Sequence, residues 1–258
     1  MTDYRFCTVE DEGRVRIVTI NRPEVLNALH SEAHWEFDGV WNEFAANPDL
    51  WVGIITGAGE RAFSAGNDLK VQAAGRRTPR PSTGFAGLSH RFDLEKPLIA
   101  AVNGVAMGGG FEAALACDII IAAENAVFAL PEPRVGLIAG SGVHRLPRMI
   151  PQKQALGMIL TGRRVAAAEG QTLGFVNEVV PVGEALTAAK RWAGLVLECS
   201  PMAIRASKQS VYKSLDEPTL QAAMRTTYPA VKANLESQDY IEGPKAFAER
   251  RKPNWQNR

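Results

Sequence analysis

A chain of 258 residues, 46% of them hydrophobic, is long enough for one main domain with a large core and a helical appendage. Its 29 basic and 28 acidic residues leave a formal charge of +1, which argues against a polyanion as the main partner and requires any phosphate to be met locally. The three scattered cysteines, Cys7, Cys117 and Cys199, argue against a disulfide framework or a zinc cluster, and no apolar run reaches membrane-spanning length.

The N-terminal segment MTDYRFCTVEDEG has neither the apolar core of a signal peptide nor the Arg-rich character of a transit peptide, so a soluble, cytoplasmic protein is expected. Within residues 14–20, Val15, Ile17, Val18 and Ile20 read as a strand, ended by Asn21-Arg22-Pro23. Ala33, Phe37, Val40, Trp41 and Phe44 recur at helical spacing and predict an amphipathic helix over residues 31–46, stopping before Pro48. His30 and His34 stand at an i, i+4 spacing that suits zinc, but no third ligand accompanies them. Residues 51–56 form a second buried strand, turned by Gly57-Ala58-Gly59. Residues 70–90 are rich in Gly, Pro, Arg and Ser and read as a mobile surface loop, in which Arg76, Arg77 and Arg80 are more simply solvated than bound to phosphate.

The rest is organised around residues 96–142. An uncharged run over residues 97–102 reads as a strand, Asn103-Gly104 turns it, and Gly108-Gly109-Gly110 lead into a helix over 111–117 with Glu112 in its first turn. Backbone N–H groups at a helix start point outward unpaired, and residues without Cβ let a ligand approach them, which makes an anion site of main chain. Twenty residues beyond Glu112 lies Glu132, in the turn Pro131-Glu132-Pro133. Two carboxylates beside aimed donors suit a reaction in which charge builds on a carbonyl oxygen while a proton moves. Taken singly, each part has a plainer reading: close helix packing for the glycines and the helix dipole for Glu112.

Residues 119–122 and 126–130 supply two more short strands, and neither glycine cluster spells a dinucleotide fingerprint or a nucleophile elbow. Helices follow over 152–161 and 166–173, and a last strand over 175–180. Beyond Glu184 the chain is nearly all helical, with Pro201 and Pro218 marking helix starts. Ala185, Ala189, Trp192 and Val196, and then Leu220, Ala223 and Met224, make apolar stripes that need a surface to cover.

Five pieces of sequence resemble the crotonase (enoyl-CoA hydratase/isomerase) superfamily in the family's own order. They are Asn21-Arg22-Pro23 with Leu26-Asn27-Ala28-Leu29, the segment Phe63-Ser64-Ala65-Gly66-Asn67-Asp68-Leu69, the block 96–118, Pro131-Glu132, and Leu160-Thr161-Gly162. The resemblance implies an α/β fold: a crotonase-like spiral of repeated ββα units over residues 1–183 that binds acyl-CoA. A C-terminal helical trimerisation region over 184–258 would complete the active site, in a homotrimer or a dimer of trimers. It implies an acyl-CoA thioester substrate, no separate cofactor, no metal, and no nucleic-acid or membrane partner.

By position, the resemblance makes the N–H groups of Asn67 and Gly109 an oxyanion hole and Glu112 and Glu132 the catalytic pair. Glu132 matches the residue usually given the water-activating role, with Gly140 seating the water, although which glutamate is acid and which is base stays open. Substrate binding falls to Arg22, Val25, Leu26, Ala28, Ala65, Gly66, Asp68, Leu69, Gly108 and Gly140, with Phe247 and Arg250 at the nucleotide end of CoA in this or an adjacent subunit. Glu24 stands where many relatives carry Lys, the loop from Gly140 to His144 is one residue short, and His144 reads as a surface or packed histidine. Two glutamates point to an enoyl-CoA hydratase adding water across C2=C3. The alternatives are a delta-isomerase, a carnitinyl-CoA-type dehydratase, or a non-catalytic CoA- or RNA-binding homologue, against which the charge balance and the intact pair argue.

Overall fold

The computed structural model describes residues 4–73 and 79–258; Arg76 and Arg77 lie outside the described residues. The strands are β1 (Cys7–Glu12), β2 (Val15–Ile20), β3 (Val52–Gly57), β4 (Ala62–Ser64), β5 (Leu98–Val102), β6 (Val105–Met107), β7 (Ile119–Ala123), β8 (Val127–Ala129), β9 (Val165–Ala166) and β10 (Glu178–Val180). The helices are α1 (Ser31–Ala46), α2 (Leu69–Ala73), α3 (Gly109–Ala116), α4 (Gly142–Met149), α5 (Gln152–Thr161) and α6 (Ala167–Leu173), followed by α7 (Ala185–Leu197), α8 (Pro201–Ser214), α9 (Leu220–Arg225), α10 (Pro229–Leu235) and α11 (Gln238–Ala248).

From β3 to β8, consecutive strands alternate between two sheets. A six-stranded sheet runs β1-β2-β3-β5-β7-β10 and a four-stranded sheet runs β4-β6-β8-β9. Each of β3, β5 and β7 lies in the large sheet, and the strand after it, β4, β6 or β8, lies in the small one, so the chain climbs as a spiral of repeated units. Neighbours are parallel except at β1–β2 and β8–β9. Asn103 stabilises a corner of the spiral: its side chain accepts from the Gly57 N–H at 3.2 Å and donates to the Gly57 carbonyl at 2.9 Å. This is the α/β architecture, with a C-terminal helical region, that the sequence resemblance implies.

The inner parallel strands of the large sheet, β3, β5 and β7, are buried on both faces and so read as continuous apolar runs. Val18, Ile55, Ala100 and Ala122 point toward α1 and the small sheet, while Ile17, Ile54, Ile99 and Ile121 point the other way. That second face is covered by Ala185, Ala188, Ala189 and Ala193 of α7, so the first C-terminal apolar stripe packs on its own chain. The second stripe differs: Leu220 and Met224 are 77% and 79% exposed. No helix among the described residues is long and apolar enough to cross a membrane.

Candidate active site

The small sheet decides which residues meet. β4, β6 and β8 are adjacent and parallel, so the segments leaving their C-terminal ends lie side by side. Those segments are Ala65-Gly66-Asn67, then Gly108-Gly109 opening α3, then Pro131-Glu132. Ligands of parallel sheets bind at this edge because loops there diverge and leave a crevice.

Close packing brings the first two segments together. Gly66 has φ +92°, and a Cβ there would lie 3.2 Å from the Gly109 nitrogen. Gly108, at φ +52°, turns the chain from β6 into α3, and a Cβ on it would meet Glu132 Oε1 at 2.8 Å. The N–H groups of Asn67 and Gly109 have no hydrogen-bond partner among the described residues, whereas the flanking amides of Asp68, Gly108 and Glu112 are bonded to Leu29, Ala129 and Gly108 carbonyls. Two free donors therefore sit beside one another at the edge of the crevice. The Asn67 segment is itself fixed by ladder bonds to the Leu26–Leu29 turn, Ala65 N–H to Leu26 and Leu29 N–H to Gly66, both at 2.9 Å. Asn27, fully buried, pins that turn by donating to the Ala58 and Ala62 carbonyls at 3.0 and 2.7 Å.

Glu112 is one turn into α3 and is 5% exposed. Its Oε1 accepts the Ser141 and Gly142 N–H groups at 2.6 and 2.8 Å. The donors are the first amides of α4, which has no side-chain cap of its own, so Glu112 serves as its N-terminal anion. The glycine segment that the sequence marks as short is thus a helix start closed on a carboxylate. The Gly140 N–H has no partner among the described residues, and a Cβ on Gly140 would lie 3.8 Å from both Glu112 Oε1 and His90 Cε1.

Glu132 has no such support. Its buried Oε2 has no hydrogen-bond partner, and its pKa is pushed up to about 7 by burial, with the Glu112 charge adding to the rise and the bond from its own backbone opposing it. One carboxylate is bound by two amides and its neighbour keeps a proton up to about neutrality, which is how two identical side chains come to differ.

Of the other residues singled out from sequence, Arg22 lies 3.7 Å from Asp68 and donates to the Ala28 carbonyl, drawing the two motif segments together. Ala28 and Gly66 are buried, Val25, Ala65 and Asp68 are half-buried, and Leu26 and Leu69 are exposed, all in the paired stretches 22–29 and 64–69. Phe247 and Arg250 are not brought to the crevice: α11 packs on α8 and α10, and Phe247 is 88% exposed. His144 is exposed, and His30 caps α1 by accepting the Ala33 N–H, which removes the pair from a metal role. Sequence reasoning missed Ser141 and Gly142 as donors, because backbone amides carry no residue signature, missed Phe85 and His90 as neighbours of the crevice, and read Arg80 only as a solvated loop charge. Arg80 stands within electrostatic range of Glu112 and His34.

A family model described as enoyl-CoA hydratase/isomerase matches residues 10–258. The carnitinyl-CoA dehydratase of Escherichia coli (strain SMS-3-5 / SECEC) is 44% identical over 256 residues, covering 95% of this chain and 96% of the relative. Among solved structures, an enoyl-CoA hydratase from Mycobacterium tuberculosis H37Rv superposes with TM-score 0.92 at 36% identity over 98% of this chain and 99% of that one. A carnitinyl-CoA hydratase from Mycobacterium avium gives 0.78 at 39% over 99% and 100%. A spiral fold, paired free amides at the edge of its small sheet, two unlike glutamates beside them and a match along almost the whole chain agree, and the chain belongs to the enoyl-CoA hydratase/isomerase family, the crotonase superfamily.

Proposed function

We propose that this crotonase-family hydro-lyase, which acts on an acyl-CoA thioester, interconverts a 3-hydroxyacyl-CoA and the matching 2-enoyl-CoA, and that its substrate is of the carnitinyl-CoA type. The observation that carries the chemistry is the unlike pair: Glu112 bound by two amides, and half-buried Glu132 with its buried Oε2 unpartnered and a pKa near 7. The substrate assignment is supported by the carnitinyl-CoA dehydratases, whose identity to this chain exceeds that of the enoyl-CoA hydratase named above.

In this reading the thioester oxygen sits between the N–H groups of Asn67 and Gly109, which stabilise the enolate by about 3 kcal/mol per well-placed donor. In hydration, Glu112 accepts a proton from water held near the Gly140 N–H, the hydroxyl adds to C3, and protonated Glu132 delivers its proton to C2. Dehydration runs backwards: Glu132 takes the C2 proton, and Glu112 returns a proton to the departing hydroxyl. The resemblance implied the water-activating role for Glu132; its raised pKa favours the role of acid toward C2 instead.

Arg22 and Asp68 belong to the substrate-binding set, and Phe247 and Arg250 would meet CoA from an adjacent subunit. The chain divides into an acyl-CoA-binding core over 1–183 and an oligomerisation region over 184–258, whose first helix, α7, packs on the core.

A second reading, an uncharged 2-enoyl-CoA as substrate, is favoured by Arg80, whose cation near Glu112 opposes a trimethylammonium group. Following enone absorbance with crotonobetainyl-CoA and with crotonyl-CoA separates the two. A kcat/KM at least about tenfold higher for the cationic substrate, a gap of about 1.4 kcal/mol, is expected. The reverse ranking assigns the uncharged substrate, and hydration of neither overturns the activity. Glu112→Gln and Glu132→Gln should each lose about 10²- to 10⁴-fold.

A further inference from the structure

His34 is 1% exposed, on the buried side of α1, and its spacing from His30 suggests only a metal. Its contacts serve a different end. Nδ1 accepts the Ala86 N–H at 3.2 Å, so the ring proton of the neutral form lies on Nε2, and the Asn67 side chain stands close enough to the ring to act on it. The ring also lies against Phe85, with centroids 4.9 Å apart. Phe85, itself 1% exposed, presses on Gly109 so closely that a Cβ there would stand 2.3 Å from Cδ2 of the ring. Between Phe85 and Gly87, Ala86 holds φ +50°, a left-handed conformation that is unfavourable for a residue with a Cβ. That turn is held by the bond to His34 and by the Trp41 indole, which donates to the Ala86 carbonyl at 3.0 Å.

We infer that His34 is a positioning residue for the oxyanion hole, holding one donor segment through the Asn67 side chain and the other through Phe85 on Gly109. The inference rests on the reading of those two amides as the oxyanion donors. A neutral imidazole fits because it offers one acceptor and one donor on different ring edges, which the Ala86 amide and the Asn67 side chain require together. Burial keeps it neutral, with the pKa pulled down to about 3. The hole then has a fixed width before substrate arrives, and a donor misplaced by about 1 Å costs roughly 10²-fold in rate.

The test uses acetoacetyl-CoA, whose β-ketothioester ionises to an enolate with its own absorbance, so the enolate fraction of bound ligand reads donor alignment without turnover. Wild-type protein should raise that fraction on binding. His34→Phe should lose most of the rise and lower kcat about 10- to 100-fold with KM within about twofold, because the lost interaction exists only in the transition state. Asn67→Ala, which keeps the backbone amide, should also lose part of the rise, and the double variant should lose less than the two single losses combined. A folded His34→Phe with wild-type enolate fraction and kcat, or strictly additive losses, overturns the inference. If His34→Phe fails to fold, Asn67→Ala and Phe85→Leu carry the test, and unchanged enolate fractions in both overturn it. A wild type that gives no rise removes the oxyanion reading itself, and this inference with it.

Discussion

Glu132 and His34 are perturbed in opposite directions, and each leaves a different mark on stability. Burial, with the Glu112 charge behind it, raises the Glu132 carboxyl from 4.5 to about 7. The folded protein therefore holds a proton that the unfolded chain releases between those values, and stability falls as pH rises through that window, by on the order of 2 kcal/mol. Glu132→Gln should flatten this fall: urea unfolding at pH 5 and pH 8 should show the variant gaining on the wild type at pH 8 while losing activity. The wild-type kcat/KM for hydration should decline above about pH 7 as the acid ionises. His34 goes the other way, from 6.5 down to about 3, by burial first and then by the facing charge of Arg80, against the opposing effect of the nearby Asn67 side chain. A depressed histidine contributes stability that is complete above the unfolded pKa and is lost as pH falls toward the folded one. The full loss is on the order of 4 kcal/mol. Thermal melts between pH 7 and pH 4 should fall less steeply in His34→Gln than in the wild type.

At the scale of elements, glycines with the same name do opposite work. Gly110 lets α3 lie directly on β4, where a Cβ would meet the Ser64 carbonyl oxygen at 2.2 Å and neither backbone can yield. Gly39, midway along α1, faces open space. Gly110→Ala should therefore cost about 1–3 kcal/mol or more and displace Glu112, whereas Gly39→Ala should stabilise by about 1 kcal/mol through helix propensity alone. Equal effects in denaturant melts would contradict the packing argument. The same contrast explains what sequence shows. α1, β3 and β5 are legible because their apolar spacing is regular and their burial follows it. β4, β6 and β9 are two or three residues long, too short for a period to register, and exist because neighbouring strands pair with them. β1, burying chiefly Cys7, carries a polar, acidic sequence on an edge strand. α4 is hidden because Glu112, 30 residues before Gly142, supplies its N-terminal acceptor, and because Pro147 lies inside it.

For the molecule as a whole, the glutamate pair and the glycine motif were legible as residues, but their meeting depends on the β4-β6-β8 order, which no local pattern encodes and which entered only through family resemblance. The same limit applies to Phe247 and Arg250, which stand on α11 away from the crevice of their own chain. The far face of the large sheet is already occupied by α7, so that sheet has no surface left to offer α9 and α11. Leu220, Met224, Ile241 and Phe247 remain 69% to 88% exposed on those two helices, large apolar side chains left open to water. A second copy of the chain is the economical cover, since an exposed Phe247 near Arg250 would then have an acyl-CoA site to complete. Sedimentation at micromolar concentration should give a multiple of the 28.0 kDa chain mass, with three copies expected. Replacing both Leu220 and Met224 by Glu should move the mass toward one chain and raise KM for the CoA substrate more than it lowers kcat. A wild-type protein that sediments at 28.0 kDa and is fully active would show instead that the crevice is complete within one chain.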